Sequence, residues 1–175
     1  MNMRFILTVA ALAVAFPAIA ALDLPKRKSG LWEMTMSRDG QQQQIPGMAG
    51  GKMSMCVDEK VDDLTKQMGE SAAREMCTKA DFRREGDRYV SDSVCKFNGT
   101  TATTHMVLTG RFDAEYQADM ETRFDPPFMG MAQQRSTIKG RWVGPCKAGQ
   151  RPGDMVMPNG MTINMFDAQK GMPRK

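Results

Sequence analysis

The stretch that most constrains this chain runs from Cys77 to Cys95, CTKADFRREGDRYVSDSVC, and reads as a β-hairpin with a cysteine at each end. Its turn signal is Glu85-Gly86-Asp87, and Gly86 lies nine residues from either cysteine. Reflection through Gly86 therefore faces Cys77 with Cys95 as a cross-strand disulfide, and Phe82 with Val90 on the apolar side. By strict alternation the cysteines then fall on the polar face or beside a bulge.

Where a disulfide of this kind forms depends on the compartment. The chain opens with Met1 to Arg4, the apolar run FILTVAALAVAF, Pro17 and Ala18-Ile19-Ala20, the pattern of a secretory leader cut after Ala20. The apolar run covers residues 5 to 16, whereas a spanning helix needs about 20. No cysteine follows it directly, so a lipid anchor on a new N-terminal cysteine is not expected. A periplasmic or secreted, soluble protein is. Removal of 1–20 leaves 155 residues and lowers the charge from +4 to +3, one domain's worth of chain with no basic stripe for nucleic acid.

All four cysteines lie in the exported part, which argues for two disulfides. With Cys77 paired to Cys95, Cys56 is left to Cys146. Zinc is disfavoured, because the cysteines do not come in C-x-x-C pairs.

Before the hairpin, Trp32, Met34 and Met36 alternate with Glu33, Thr35 and Ser37 as a half-buried strand. Residues 38–52, with four consecutive glutamines, read as a loop, and Met53, Met55 and Val57 share a face of a second strand. Asp58 caps a helix with Val61, Leu64 and Met68 on one side, ending near Gly69 with another turn allowed over 71–76. Beyond the hairpin, Asn98-Gly99 turns into Thr100–Phe112, and a turn at 113–115 leads into Tyr116–Phe124. Reflection through Ala114 places Leu108 opposite Met120 and Arg111 opposite Gln117. Asp125-Pro126-Pro127 should end that strand. After a loop over 128–134, Arg135–Val143 supplies a last strand with Ile138 and Trp142 inward.

The expected fold is thus mainly β: an antiparallel meander of about six to seven strands, strongly curved or a half-barrel, with one short helix. The leader (1–20) precedes one β-rich domain (21–146) and a Met-rich, largely irregular tail (147–175), in which 161–166 could dock.

A short helix cannot cover such a sheet. The apolar face is either filled by its own side chains or open to a hydrophobic small molecule or an envelope partner. The residues best placed for such binding are Trp32, Met34, Met106, Leu108, Met120 and Trp142. Methionine offers a second reading, with 18 in the chain and four Met-x-Met pairs after the leader. Met34/Met36 and Met53/Met55 are explained by strand packing, whereas the loop and tail pairs Met129/Met131 and Met155/Met157 are candidate Cu(I) ligands. Enzyme chemistry lacks a constellation: His105 is on a polar strand face, no G-x-S-x-G elbow exists, and Asp119 and Glu121 alternate on the wet face. Asn98-Gly99-Thr100 matches a glycosylation acceptor but is already accounted for by its turn. No cofactor is implied, and the oligomeric state is not encoded in any pattern.

With these residues laid out, the chain resembles a family of exported bacterial proteins known as domain of unknown function 3617. The matching features are Lys28-Ser29-Gly30-Leu31-Trp32-Glu33, Pro46-Gly47-Met48, Cys56-Val57-Asp58-Glu59, the Cys77/Cys95 hairpin and Arg141-Trp142-Val143-Gly144-Pro145-Cys146. They cover 26–146. The resemblance implies a small envelope protein and supplies no catalytic residues; the continuation past Cys146 departs from it.

Overall fold

The structure is a computed structural model describing residues 24–39, 41–42 and 51–170. The expected leader, most of the glutamine-rich loop and residues 171–175 lie outside the described residues.

Alternation produces the first strands, β1 (Gly30–Arg38) and β3 (Lys52–Val57), with the short β2 (Gln41–Gln42) paired to the end of β1. Helix α1 (Glu59–Met76) begins where the Asp58 carboxylate accepts the Val61 N–H at 3.0 Å. It passes through Gly69 without stopping. The following Glu-Ser-Ala-Ala-Arg-Glu segment is rich in helix formers, so one glycine, costing about 1 kcal/mol, does not end it. Its 18 residues span about 27 Å at about 1.5 Å each. That length matters, because α1 connects β3 near one edge of the sheet to β4 (Cys77–Glu85) at the other. Six strand spacings of about 4.8 Å, or about 29 Å, separate them.

From β4 the chain meanders through β5 (Arg88–Phe97), β6 (Thr100–Arg111), β7 (Glu115–Phe128) and β8 (Met131–Gly144). β1 then pairs with the free side of β8, and β3 with β1. The C-terminal segment adds β9 (Asp154–Val156) and β10 (Thr162–Asn164), followed by α2 (Met165–Lys170). Among the described residues all strand pairs are antiparallel, in the order β10-β9-β3-β1-β8-β7-β6-β5-β4, and the sheet they form is open. The mainly β, antiparallel class holds, with ten strands among the described residues instead of six or seven, and a second helix.

The inner face carries two packed clusters. Trp32, Met34, Met55, Val57 and Val61 form one, joined by Tyr116, Met155 and Phe166; Tyr89, Leu108 and Ala118 form the other, with Phe82, Met106 and Phe112. An aromatic stripe joins them, running Trp32–Tyr116–Phe112–Tyr89–Phe82 with successive ring centroids 5.6, 6.1, 5.9 and 5.9 Å apart.

Registers differ from the expected ones in three places. In the hairpin the turn is the two residues Gly86-Asp87, with Gly86 at φ +65°, so Glu85 faces Arg88 and Phe82 faces Ser91. Val90 therefore sits opposite Arg83 on the outer face, 2 % exposed nonetheless. A bulge at Thr78 then adds one residue to β4 and brings Cys77 back opposite Cys95. The disulfide pairing stands, but the bond lies on the inner face, under the helix.

Between β6 and β7 the turn takes in Phe112, Asp113 and Ala114, so Arg111 pairs with Glu115, Leu108 with Ala118 and Met106 with Met120. The shift of two residues keeps every side chain on its expected face. Finally, β7 does not end at Pro126-Pro127. The five steps from Arg123 to Phe128 face only two steps of β8, from Gln133 to Met131, and the prolines occupy this bulge, where no ladder bond is demanded of them. β8 consequently starts at Met131, and the loop shrinks to Met129-Gly130.

The segment after Cys146 is more ordered than an irregular tail. Met155 pairs with Met55, the Gly153 N–H donates to the Cys56 carbonyl at 2.8 Å, and Met165 and Phe166 pack on the Trp32 cluster.

Candidate functional site

The two halves of α1 treat the sheet differently. Val61 and Leu64 in the first half are buried, at 0 % and 5 % exposure. In the second half the sheet-facing positions are Gly69, Ala72 and Ala73, and the strands beneath present Ala80, Ser91 and Ser93. Small side chains on both sides leave the space between helix and sheet unfilled. The result is an open groove of about 470 Å³.

Apolar groups dominate its walls: Met76 and Phe82 at the β4 side, Met106 on the floor, and the Cys77–Cys95 bridge between helix end and strand. Ser91 and Ser93 are hydroxyls on that floor, and Glu70 and Arg74 of the helix add one charge of each sign to its lining. Leu24 contributes to one end. It is held there by the segment ahead of β1, in which Arg27 makes an ion pair with Asp62 of α1 and the Lys28 N–H donates to the Phe112 carbonyl at 2.9 Å. Burial pushes the Tyr116 phenol upward, an effect that the neighbouring Arg27 guanidinium opposes.

The residues expected to bind are only partly brought together. Met106 lines the groove, Leu108 lies two positions along the same strand in the cluster beneath Tyr89, and Met120 is Met106's ladder partner. Trp32 and Met34 belong instead to the filled cluster, at 0 % and 8 % exposure. Trp142 is Trp32's ladder partner; its indole N–H donates to the Ser29 carbonyl at 3.1 Å and Lys28 Nζ lies 3.7 Å from its ring centroid. Sequence reading missed Phe82, Ala80 and the Gly69/Ala72/Ala73 ridge. The run of small residues at i, i+3 and i+4 was the available signal.

The methionine pairs do not converge. Met129 is exposed in the β7–β8 turn and Met131 opens β8. Met155 stands beside Met55 at the level of Trp142, eleven residues along β8 from Met131, or about 36 Å at about 3.3 Å per residue. Met157 lies just past β9, its N–H bonded to the Met161 carbonyl at 2.8 Å. Among the described residues no cluster of three or more His, Cys, Asp or Glu could hold a metal ion.

Two further depressions are on the polar outer face. The larger, about 530 Å³, is lined by Glu33, Lys52, Glu115, Lys139 and Arg141, charges of both signs. The smaller holds His105, whose Nδ1 lies 2.7 Å from Asp92 Oδ1. Hydrogen bonds from His105 and then Arg83 hold the Asp92 carboxyl below the usual carboxylate range. Cys56 and Cys146 are joined in the second disulfide, so the described residues hold no free thiol.

The architecture is therefore an open antiparallel sheet crossed by one long helix, with an apolar groove under the helix's second half. The chain belongs to the family described as protein of unknown function (DUF3617), which matches residues 27–146. The matched span holds α1, both disulfides and every groove residue except Leu24; β9, β10 and α2 fall beyond it. No curated protein and no solved structure matched the chain. Among the described residues no helix is long and apolar enough to cross a membrane.

Proposed function

We propose that the protein is an exported, non-enzymatic binding protein whose groove between α1 and β4–β6 takes an elongated apolar ligand. The observation that carries this reading is the groove itself. At about 470 Å³ it lies within the range of small-molecule sites, about 300–1,000 Å³, and has their make-up of apolar walls with a few polar groups. Export accounts for the leader pattern at 1–20 and for cysteines spent entirely on disulfides. The serine hydroxyls on the floor suit a ligand with one hydrogen-bonding group on an otherwise apolar body.

The test uses the uncharged dye N-phenyl-1-naphthylamine, together with native mass spectrometry of protein purified from periplasmic extract. Wild-type protein should enhance the dye's fluorescence and carry a co-purifying small molecule. Ala73→Trp, which fills the groove from the helix side, should abolish both while leaving the melting temperature within a few degrees. Equal dye binding by the variant, or none by the wild type together with no co-purifying molecule, would sink the proposal.

A further inference from the structure

Among the described residues the sheet ends at β4, with no strand beyond it. Between the bulge at Thr78 and the turn at Gly86, the regular part of β4 is Lys79 to Glu85, with Phe82 at its centre. Its outward-facing side chains alternate in sign: Lys79, Asp81, Arg83, Glu85. Such a pattern is its own complement. Turned antiparallel about Phe82, a second copy sets Lys79 opposite Glu85 and Asp81 opposite Arg83, matching all four charges twice over. A slip of the mirror point by half a residue to Asp81/Phe82 or Phe82/Arg83 flips the faces, and a slip by one whole residue sets Asp81 on Asp81 or Arg83 on Arg83.

The backbone agrees with that register. A two-residue turn makes its flanking residues, Glu85 and Arg88, a hydrogen-bonded pair, and alternation then directs the amides and carbonyls of Arg83, Asp81 and Lys79 to β5 as well. Those of Ala80, Phe82 and Arg84 point outward along the edge. They are the groups that an antiparallel copy centred on Phe82 would bond.

We propose that the protein self-associates through β4, two copies pairing antiparallel about a two-fold axis at Phe82 so that their sheets become one. Charges on an edge strand ordinarily repel foreign strands; here their order admits the chain's own copy and rejects shifted registers. Within one chain Lys79 already meets Asp81 at 3.1 Å and Arg83 meets Glu85 at 2.8 Å and Asp92 at 2.6 Å. The lysine, aspartate and arginine side chains are still 46–58 % exposed and can take a partner across the edge. On the inner side Phe82 meets Phe82 of the second copy. Because Phe82 also lines the groove, pairing sets the two grooves side by side. The contact is small, that of a reversible dimer.

Sedimentation equilibrium on the purified protein and two charge reversals provides the test. Wild type should dimerise reversibly below about 1 mM. Asp81→Arg and Arg83→Asp should each weaken the dimer about tenfold or more, because each sets like charges together twice. An equimolar mixture of the two variants should recover it, since the arginine introduced at position 81 of one copy then faces the aspartate introduced at position 83 of the other. Melting curves check folding, and if Arg83→Asp fails to fold through loss of its Asp92 bond, Lys79→Glu and Glu85→Lys serve as the second pair. A monomeric wild type across that range, folded variants that dimerise as tightly as wild type, or a mixture that recovers nothing would each overturn the proposal.

Discussion

Arg27 and Asp62 meet in three hydrogen bonds: the Arg27 backbone N–H to Oδ2 at 2.6 Å, and Nε and Nη2 to Oδ1 at 2.8 and 2.6 Å. Their side chains are 12 % and 14 % exposed. Removing the carboxylate leaves a guanidinium facing the protein with nothing to neutralise it. Asp62→Ala should therefore cost about 3 kcal/mol in urea unfolding. Arg27→Lys should recover only part of the wild-type stability, because an ammonium cannot reproduce the fork. A loss under about 0.5 kcal/mol, the ordinary range for surface sites, would show the pair to be dispensable.

Gly140 is buried in β8 beneath the Tyr116 ring, and a Cβ added there would lie 2.3 Å from two ring carbons. The ring is held by Trp32 on one side and Phe112 on the other. It cannot swing clear cheaply. Gly140→Ala should destabilise by about 1–3 kcal/mol, read as a lower melting temperature, and Tyr116→Ala in the same chain should make the glycine replacement nearly silent.

The two disulfides close segments of different length, with sequence separations of 90 for Cys56–Cys146 and 18 for Cys77–Cys95. In the chain-entropy account their losses come to about 4.6 and about 3.2 kcal/mol. Double serine variants, compared by denaturant midpoint, should fall in that order. Dye binding should respond in the opposite order, since only Cys77–Cys95 lines the groove.

Asp154 is buried at the start of β9, and its carboxyl is held below the usual range by the Asn164 side-chain amide first and the Arg151 backbone N–H second. A depressed folded-state pKa contributes stability above the unfolded value, near 3.8, and that contribution is lost as pH falls through the folded one. The protection factors of the Met155 and Val156 amides, the exchange rate of an unstructured chain at the same pH relative to their own, should therefore fall on acidification below about pH 4. Asp154→Asn should remove that acid dependence, and an unchanged profile in the variant would place its origin elsewhere.

Much of this fold was legible in the sequence because alternation is a strong signal in half-buried strands. Trp32/Met34, Ala102 to Leu108 and Tyr116 to Phe124 all face as their periodicity indicates. Face survives an even shift in register, which is why the misplaced Leu108 partner did no harm. Odd shifts are unforgiving: a turn shorter by one residue sent Val90 outward and Cys95 inward, and only the bulge at Thr78 returned Cys77 to the same face. Short strands such as β9 and β10 carry too few residues for any period to show. The groove was hidden for a different reason. It is made by what side chains lack, at Gly69, Ala72, Ala73 and Ala80, whereas large residues such as Trp32 and Met34 attract attention and turn out to fill the core.

The placement of β1 between β3 and β8 sets a timetable. As the chain emerges from its N-terminal end, Trp32 and its neighbours have only β3 and the start of α1 to lean on. Their other flank arrives with residues 131–144, more than ninety positions later. Local hairpins from β4 to β8 can assemble in sequence, but the Trp32 side of the sheet must wait for nearly the whole chain. A molecule laid out this way keeps its earliest apolar strands uncommitted until its last ones have been delivered.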